Sequence, residues 1–128
     1  MTEKLKIVHY LNQFFGQIGG EDSAYQEPIY KEGPIGPGNF LNAELKNAKI
    51  IGTIICGDNF SAEKTQRLLS FVHQVIENET PDILIAGPAF NSGRYGLACA
   101  NVCKSVKNSS IDIPFPHYPL TLLFSDVF

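Results

Sequence analysis

The sequence has no tryptophan, one methionine and three cysteines. An odd cysteine count without zinc-like spacing gives no disulfide framework, and it fits reduced thiols in a cytoplasmic protein. No apolar run is long enough to span a bilayer. The amino end leads straight into a strand pattern, without the apolar stretch of a signal peptide. Lysine and arginine do not cluster. With a net charge of −3 and a pI near 5.5, the chain lacks the basic footprint of a nucleic-acid or anionic-membrane binder. Three fingerprints are also missing: the GxGxxG dinucleotide turn, the GxxxxGK[ST] phosphate loop and the GxSxG nucleophile elbow.

What is present is globular. The 128 residues are 44% hydrophobic and 18% charged, enough for one domain with a real core. The stretch 6–11 (Lys-Ile-Val-His-Tyr-Leu) reads as a first strand. Residues 49–55 read as a second, with the continuous apolar character of a buried parallel strand. Residues 82–86, after Thr80-Pro81, read as a third. Pro37-Gly38-Asn39 opens a short helix with Asn39 as cap and Phe40, Leu41, Leu45 and Ala48 as its apolar face. Ser61 is the expected cap of a helix over 62–78, whose inner face is Leu68, Leu69, Val72, Val75 and Ile76. His73 and Lys64 fall on its solvated side. Residues 97–107 carry a further helical pattern, and Ile111-Asp112-Ile113 opens a fourth strand.

This alternation predicts an α/β fold: a three-layer open, mostly parallel sheet with helices on both faces, flavodoxin-like or Rossmann-like. Residues 1–113 are the expected domain, and 114–128, broken by Pro114, Pro116 and Pro119, an atypical tail. The segment 14–38 is long for a strand-to-helix connection and shows no periodic run. Such a loop is either a functional lid or an arm that docks on a partner. Its adjacent acids, Glu21 and Asp22, read as solvated turn residues.

The chemistry-bearing stretch is 87–96, Gly-Pro-Ala-Phe-Asn-Ser-Gly-Arg-Tyr-Gly, a crossover loop at the carboxyl end of the third strand. Open α/β sheets bind ligands at that end. One reading makes it an anion site, with Arg94 gripping a carboxylate or phosphate at a helix entrance. The other makes it a glycine-rich turn capped by Asn91 or Ser92, with Arg94 in solvent. Asn12 and Gln13 leave the first strand, and Asp58 and Asn59 the second, at the same mouth. His9 reads as a hydrogen-bonded packing residue. Cys99 and Cys103 are neighbours on one helix face; metal or redox use is conceivable, and buried core thiols are the plainer reading. No metal ligand set is expected.

Five ordered blocks carry a resemblance. They are His9-Tyr10-Leu11-Asn12-Gln13-Phe14-Phe15, Gly19-Gly20-Glu21-Asp22, Lys31 to Gly38 (Lys-Glu-Gly-Pro-Ile-Gly-Pro-Gly), Ile55-Cys56-Gly57-Asp58-Asn59, and Ala86 through Gly96. Together they resemble the amino-terminal part of the selenoprotein B subunit of glycine, sarcosine and betaine reductases, over about residues 6–113. The resemblance implies an oxidoreductase component of amino-acid-fermenting anaerobes. It would reductively cleave the C–N bond of glycine, sarcosine or betaine and pass the carbon skeleton to selenoprotein A, leading to acetyl phosphate. Thioredoxin would supply electrons. The implied cofactors are a selenocysteine and a pyruvoyl group on a partner subunit.

Neither the selenocysteine nor its motif occurs in these 128 residues, and Cys56, Cys99 and Cys103 do not inherit its role. The chain is therefore expected to be a truncated form or fragment, inactive alone and without a catalytic residue of its own. Under this reading Arg94 meets the substrate carboxylate, and Asn12, Asp58, Asn59, Asn91 and Tyr95 frame the site. Asp58, or the face of Tyr10 or Tyr95, would meet the amine. The alternative is a non-catalytic assembly module whose 14–38 loop docks the partner subunit, with the mouth as a subunit interface; a homo-oligomer is also among the candidate partners.

Overall fold

The computed structural model describes residues 4–89, 93–112 and 120–125. Its elements are β1 (Leu5–Asn12), β2 (Ile29–Glu32), α1 (Pro37–Glu44), β3 (Ala48–Cys56), α2 (Asp58–Glu63), α3 (Thr65–Glu79), β4 (Ile83–Ala89), α4 (Gly93–Asp112) and β5 (Leu120–Ser125). The strands form one sheet in the order β2-β3-β1-β4-β5. β1 pairs parallel with β3 and β4, and β4 with β5, while β2 runs antiparallel to β3 at one edge. The expected α/β architecture, a mostly parallel sheet with helices on both faces, is the one observed. Among the described residues no helix is long and apolar enough to cross a membrane.

Strand alternation builds two cores. Val8, Tyr10, Ile54, Cys56, Leu84 and Ala86 point to one face, where α3 sets Leu68, Val72, Val75 and Ile76 and α4 sets Ala98, Cys99, Val102 and Val106. The helical residues repeat at three- and four-residue spacing, which is why one stripe of each helix is apolar. Leu68 and Val72 are wholly buried, and each such side chain contributes about 1.5–3 kcal/mol of transfer free energy. Ile7, Ala48, Ile50 and Ile85 point to the other face, under Leu41 of α1 and Leu45, the residue that caps it.

Several local expectations are corrected. The 14–38 segment contains strand β2, whose Ile29–Glu32 pair with Ile55 back to Gly52. Tyr30 lies over Gly52, where an added Cβ would come within 1.9 Å of the phenol oxygen, and its hydroxyl donates to Glu79 Oε1 at 3.2 Å. Helix α1 starts at Pro37 with Gly36 as N-cap, so Asn39 lies inside it, and Phe40 is 73% exposed rather than on the packed face. Ser61 is no cap: it is buried within α2, and its Oγ donates to Asp58 O at 2.9 Å. The helix expected over 62–78 is split at Lys64. Gly87, Pro88 and Ala89 belong to β4 rather than to a loop. Helix α4 starts at Gly93 and runs to Asp112, so Ile111 and Asp112 are helical. The fourth parallel strand is Leu120–Ser125. His73 is half-buried, with Nε2 2.8 Å from Ser105 Oγ.

Helix α3 stops at Thr80, which adopts a left-handed conformation with φ 45°. Lys6 Nζ reaches it from β1, donating to Glu79 O at 3.0 Å and Thr80 Oγ1 at 3.1 Å. A cation at a helix carboxyl end complements its free carbonyls and dipole.

His9 is fully buried, and its Nε2–H donates to Gly87 O. The carbonyl can only accept, so Nδ1 is the bare acceptor, and it has no hydrogen-bond partner among the described residues. Burial pushes the imidazole pKa below its ordinary 6.5, against the upward pull of the Gly87 bond. The unfolded chain thus binds a proton below about pH 6.5 that the folded chain refuses. Stability is full above that pH and falls as pH drops toward the folded pKa, by at most about 1.4 kcal/mol per pH unit for one group. His73 is shifted the same way, chiefly by burial. Urea midpoints at pH 7 and pH 5 should show the loss, and His9→Gln should flatten it. An unchanged pH slope in that variant would refute the assignment.

Candidate functional site

The carboxyl ends of β1, β3 and β4 open at one pole of the sheet. There the backbone leaves β1 in a turn that Asn12 organises, with its Oδ1 accepting from Phe15 N at 2.9 Å. Asn12 Nδ2 donates to Asp58 Oδ2 at 3.2 Å. Gln13 accepts from Asp58 N at 2.9 Å and donates to Gly20 O at 3.4 Å. Both side chains are buried. They tie the first turn of α2 to the end of β1 and to the loop that follows it.

That loop also supplies the cap of α2. Ala24 O accepts from Asn59 N at 2.8 Å and Phe60 N at 3.1 Å. A carbonyl brought in from the loop thus satisfies two of the free amides at the helix start. Gly57 makes room for it, since an added Cβ would sit 2.2 Å from Ala24 O.

Asp58 is 7% exposed, and its Oδ1 is buried with no hydrogen-bond partner among the described residues. Burial pushes its pKa up, while the Arg94 guanidinium and the bonds to Asn12 and Gln13 pull it down. Tyr95 is also buried, with its hydroxyl likewise orphaned and the Cys99 thiol beside it. Burial, then the nearby thiol and the Asp58 carboxyl, push that phenol up. The Tyr95 ring packs 6.5 Å from Tyr10 and 5.6 Å from Phe15, centroid to centroid. Two buried polar atoms in one cluster, without a hydrogen-bond partner among the described residues, mark a place that a ligand can satisfy.

Arg94 stands at the rim. Its Nη2 donates to Glu21 Oε1 at 2.5 Å, and its Nη1 donates to Asn59 Oδ1. A cavity of about 190 Å³ opens beside it, lined among others by Ser61, Thr65, Leu97 and Asn101. The expected contacts Asn12, Asp58, Asn59, Arg94 and Tyr95 therefore gather at one mouth. Asn91 lies outside the described residues. Arg94 is already held in an ion pair, and Glu21, read from sequence as a solvated turn acid, is its partner. Gln13 was placed at the mouth by sequence but not among the contacts, and its adjacency to Asn12 at the strand exit was the available signal.

The thiols do not fit a selenol-like role. Burial pushes Cys56 and Cys99 up to about 12 and Cys103 to about 11, so the reactive thiolate is suppressed in each. Cys103 instead faces Leu122 O, 3.8 Å away. No group of three or more His, Cys, Asp or Glu among the described residues is placed to hold a metal.

Residues 4–116 match the glycine/sarcosine/betaine reductase selenoprotein B family. The chain belongs to that family. It is 49% identical to the glycine reductase complex component B subunit gamma of Carboxydothermus hydrogenoformans, over 91% of this chain and 27% of that protein. It is 48% identical to the betaine reductase complex component B subunit beta of Peptoclostridium acidaminophilum, over 80% of this chain and 23% of that protein. The sarcosine reductase complex component B subunit beta of the same organism is 43% identical over 82% of this chain and 24% of its own length. The chain thus spans about a quarter of these component B proteins and corresponds to their amino-terminal part. No solved structure matches it.

Proposed function

We propose that this chain forms the substrate-facing amino-terminal part of a reductase component B, and that its mouth holds glycine or an N-methylated glycine. The observation that carries the reading is Asp58, a buried carboxyl with one oxygen unclaimed among the described residues, at the carboxyl end of a parallel strand. A small cationic amine supplies the charge that this oxygen lacks, and in glycine and sarcosine its N–H groups also supply hydrogen-bond donors, whereas the quaternary nitrogen of betaine supplies charge alone. Arg94, at the rim and beside a cavity, takes the substrate carboxylate by exchanging it for Glu21. The whole component then cleaves the C–N bond, with a selenocysteine outside these 128 residues, a pyruvoyl-bearing partner subunit, selenoprotein A and thioredoxin, in the cytoplasm. The part played by this chain is to bind, orient and neutralise the substrate.

The deciding experiment is calorimetric titration of the chain with glycine, sarcosine and betaine in turn. Saturable binding of one supports the reading. Binding of none removes substrate recognition from this chain. The exchange at Arg94 has its own test. Glu21→Gln should tighten binding severalfold, and Arg94→Ala should weaken it by about tenfold, the loss of one charge-assisted contact. Thermal stability should barely move in either variant, because an exposed ion pair is screened by solvent and contributes little. Equal affinities in all three proteins would remove Arg94 from the site.

A second reading, an assembly module, is favoured by Phe14 and Tyr25 on the 14–38 loop, 61% and 64% exposed. Size-exclusion chromatography separates the two, since a strictly monomeric chain counts against a docking arm.

A further inference from the structure

Two groups in the mouth are short of the same thing. The carboxyl of Asp58 opens α2, and the phenol of Tyr95 lies in the first turn of α4. Both are inside the matched residues 4–116. Arg94 Nη1 donates to Asn59 Oδ1 and so ties the two helix starts together. The Asp58 carboxyl is close enough to push the Tyr95 phenol further up. Asp58 Oδ2 already accepts from Asn12 Nδ2 at 3.2 Å, and Oδ1 has no partner among the described residues. A carboxylate oxygen can only accept. The Tyr95 oxygen is likewise without a partner among those residues. Burial holds its pKa well above the ordinary 10, so the hydroxyl keeps its proton at neutral pH. The Cys99 sulfur beside it can take that proton as a weak acceptor. What the Tyr95 oxygen lacks is therefore a donor. The rings here do not offer their faces to a cation. Tyr10 and Tyr95 are 0% and 9% exposed, and the Tyr95 ring packs on those of Tyr10 and Phe15 in the core shared with α3 and α4. A cage for a quaternary ammonium needs open ring faces.

We propose that Tyr95 sorts substrates by the N–H groups on their nitrogen, so that the mouth takes a primary or secondary ammonium and refuses a quaternary one, a role that rests on the mouth being the substrate site. Similarity does not choose among the amines, since the glycine, betaine and sarcosine relatives are 49%, 48% and 43% identical. The unclaimed oxygens do. Glycine brings three N–H donors and sarcosine two, enough to serve Asp58 Oδ1 and the Tyr95 oxygen together. Betaine brings none. Seated here, it would press methyl groups against both oxygens and leave each without a donor. Leaving a buried polar group unpaired costs more than an ordinary hydrogen bond gains. A site built around a hydrogen bond also rejects the analogue that lacks it far more sharply than an apolar pocket rejects an extra methyl.

The test is calorimetric titration of the 128-residue chain and of its Tyr95→Phe variant with glycine, sarcosine and betaine. The parent should bind glycine and sarcosine at least about tenfold more tightly than betaine. Phenylalanine keeps the ring and removes the oxygen. In that variant glycine and sarcosine should weaken by about tenfold, the loss of one hydrogen bond to a charged donor, and the preference over betaine should shrink by the same factor. A hydroxyl with a purely structural role would lower all three affinities alike, and that result overturns the proposal. A parent that binds betaine as tightly as glycine overturns it too. Either outcome leaves the mouth standing as the substrate site. The comparison within the parent needs no substitution, so it decides even where Tyr95→Phe folds poorly. Binding of none of the three removes the substrate site itself, and the proposal falls with it.

Discussion

Asp58→Asn should cost substrate affinity and leave the fold at least as stable. The carboxyl sits buried with Oδ2 held by Asn12 and Oδ1 unclaimed. In the asparagine variant the amide oxygen keeps the Asn12 bond, and an NH₂ replaces the free oxygen. With glycine or sarcosine that group meets the ammonium with donors against donors, and with betaine the attracting negative charge is gone. Truncating one member of a buried charge pair costs about 2–5 kcal/mol, so affinity should fall by roughly thirtyfold or more.

Stability moves the other way, and the sign follows from the pKa. Burial raises the folded pKa of Asp58 above its ordinary 3.8. The folded chain then binds this proton more tightly than the unfolded chain, so the contribution of Asp58 to stability is greatest below pH 3.8 and falls as pH rises through its folded pKa. Asparagine cannot ionise, so the variant is free of the cost of burying the charged form. A gain of about 0.5–2 kcal/mol is in the range of stabilising replacements at functional positions. Calorimetry and a thermal scan on the same sample read both. A variant that binds normally, or one that melts well below the parent, would end the case for Asp58 as the amine-reading group.

The parts of this fold that sequence foretold are those set by local pattern. The continuous apolar runs of β1, β3 and β4 and the stripe of α3 announce themselves because burial on two faces, or on one helical face, leaves a periodic trace. What sequence missed was set from a distance. Strand β2 is four residues long, ends in Lys31 and Glu32, and exists because β3 offers it an edge. The start of α2 is fixed by the carbonyl of Ala24, so Ser61, a good cap by type, had no cap to make. At the mouth, the polar residues leaving β1 and β3 were legible from their position past strand ends. The pairing of Arg94 with Glu21 was not, because nothing local to either residue encodes the loop fold that brings them together.

That dependence on the loop gives the second large prediction. Gly57→Ala should loosen the mouth and the fold together. An added Cβ at residue 57 would lie 2.2 Å from Ala24 O, 2.5 Å from Ala24 C and 2.6 Å from Gln26 N. These are backbone atoms, so no side-chain rotation relieves the clash and the loop must move. Moving it withdraws the Ala24 carbonyl from Asn59 N and Phe60 N, and Gln26 O from Gly57 N. Overpacking of this kind costs about 1–3 kcal/mol, and each buried amide left without a partner adds about 1–3 kcal/mol. The same displacement carries Glu21 away from Arg94 and leaves Asn59 unanchored, so binding should fail even where the sheet survives. Amide exchange should show the change first at Asn59 and Phe60, while the amides of β1 and β4 stay protected. If those two amides exchange no faster than in the parent, the loop is not the cap of α2, and the mouth must be held by Asn12 and Gln13 alone.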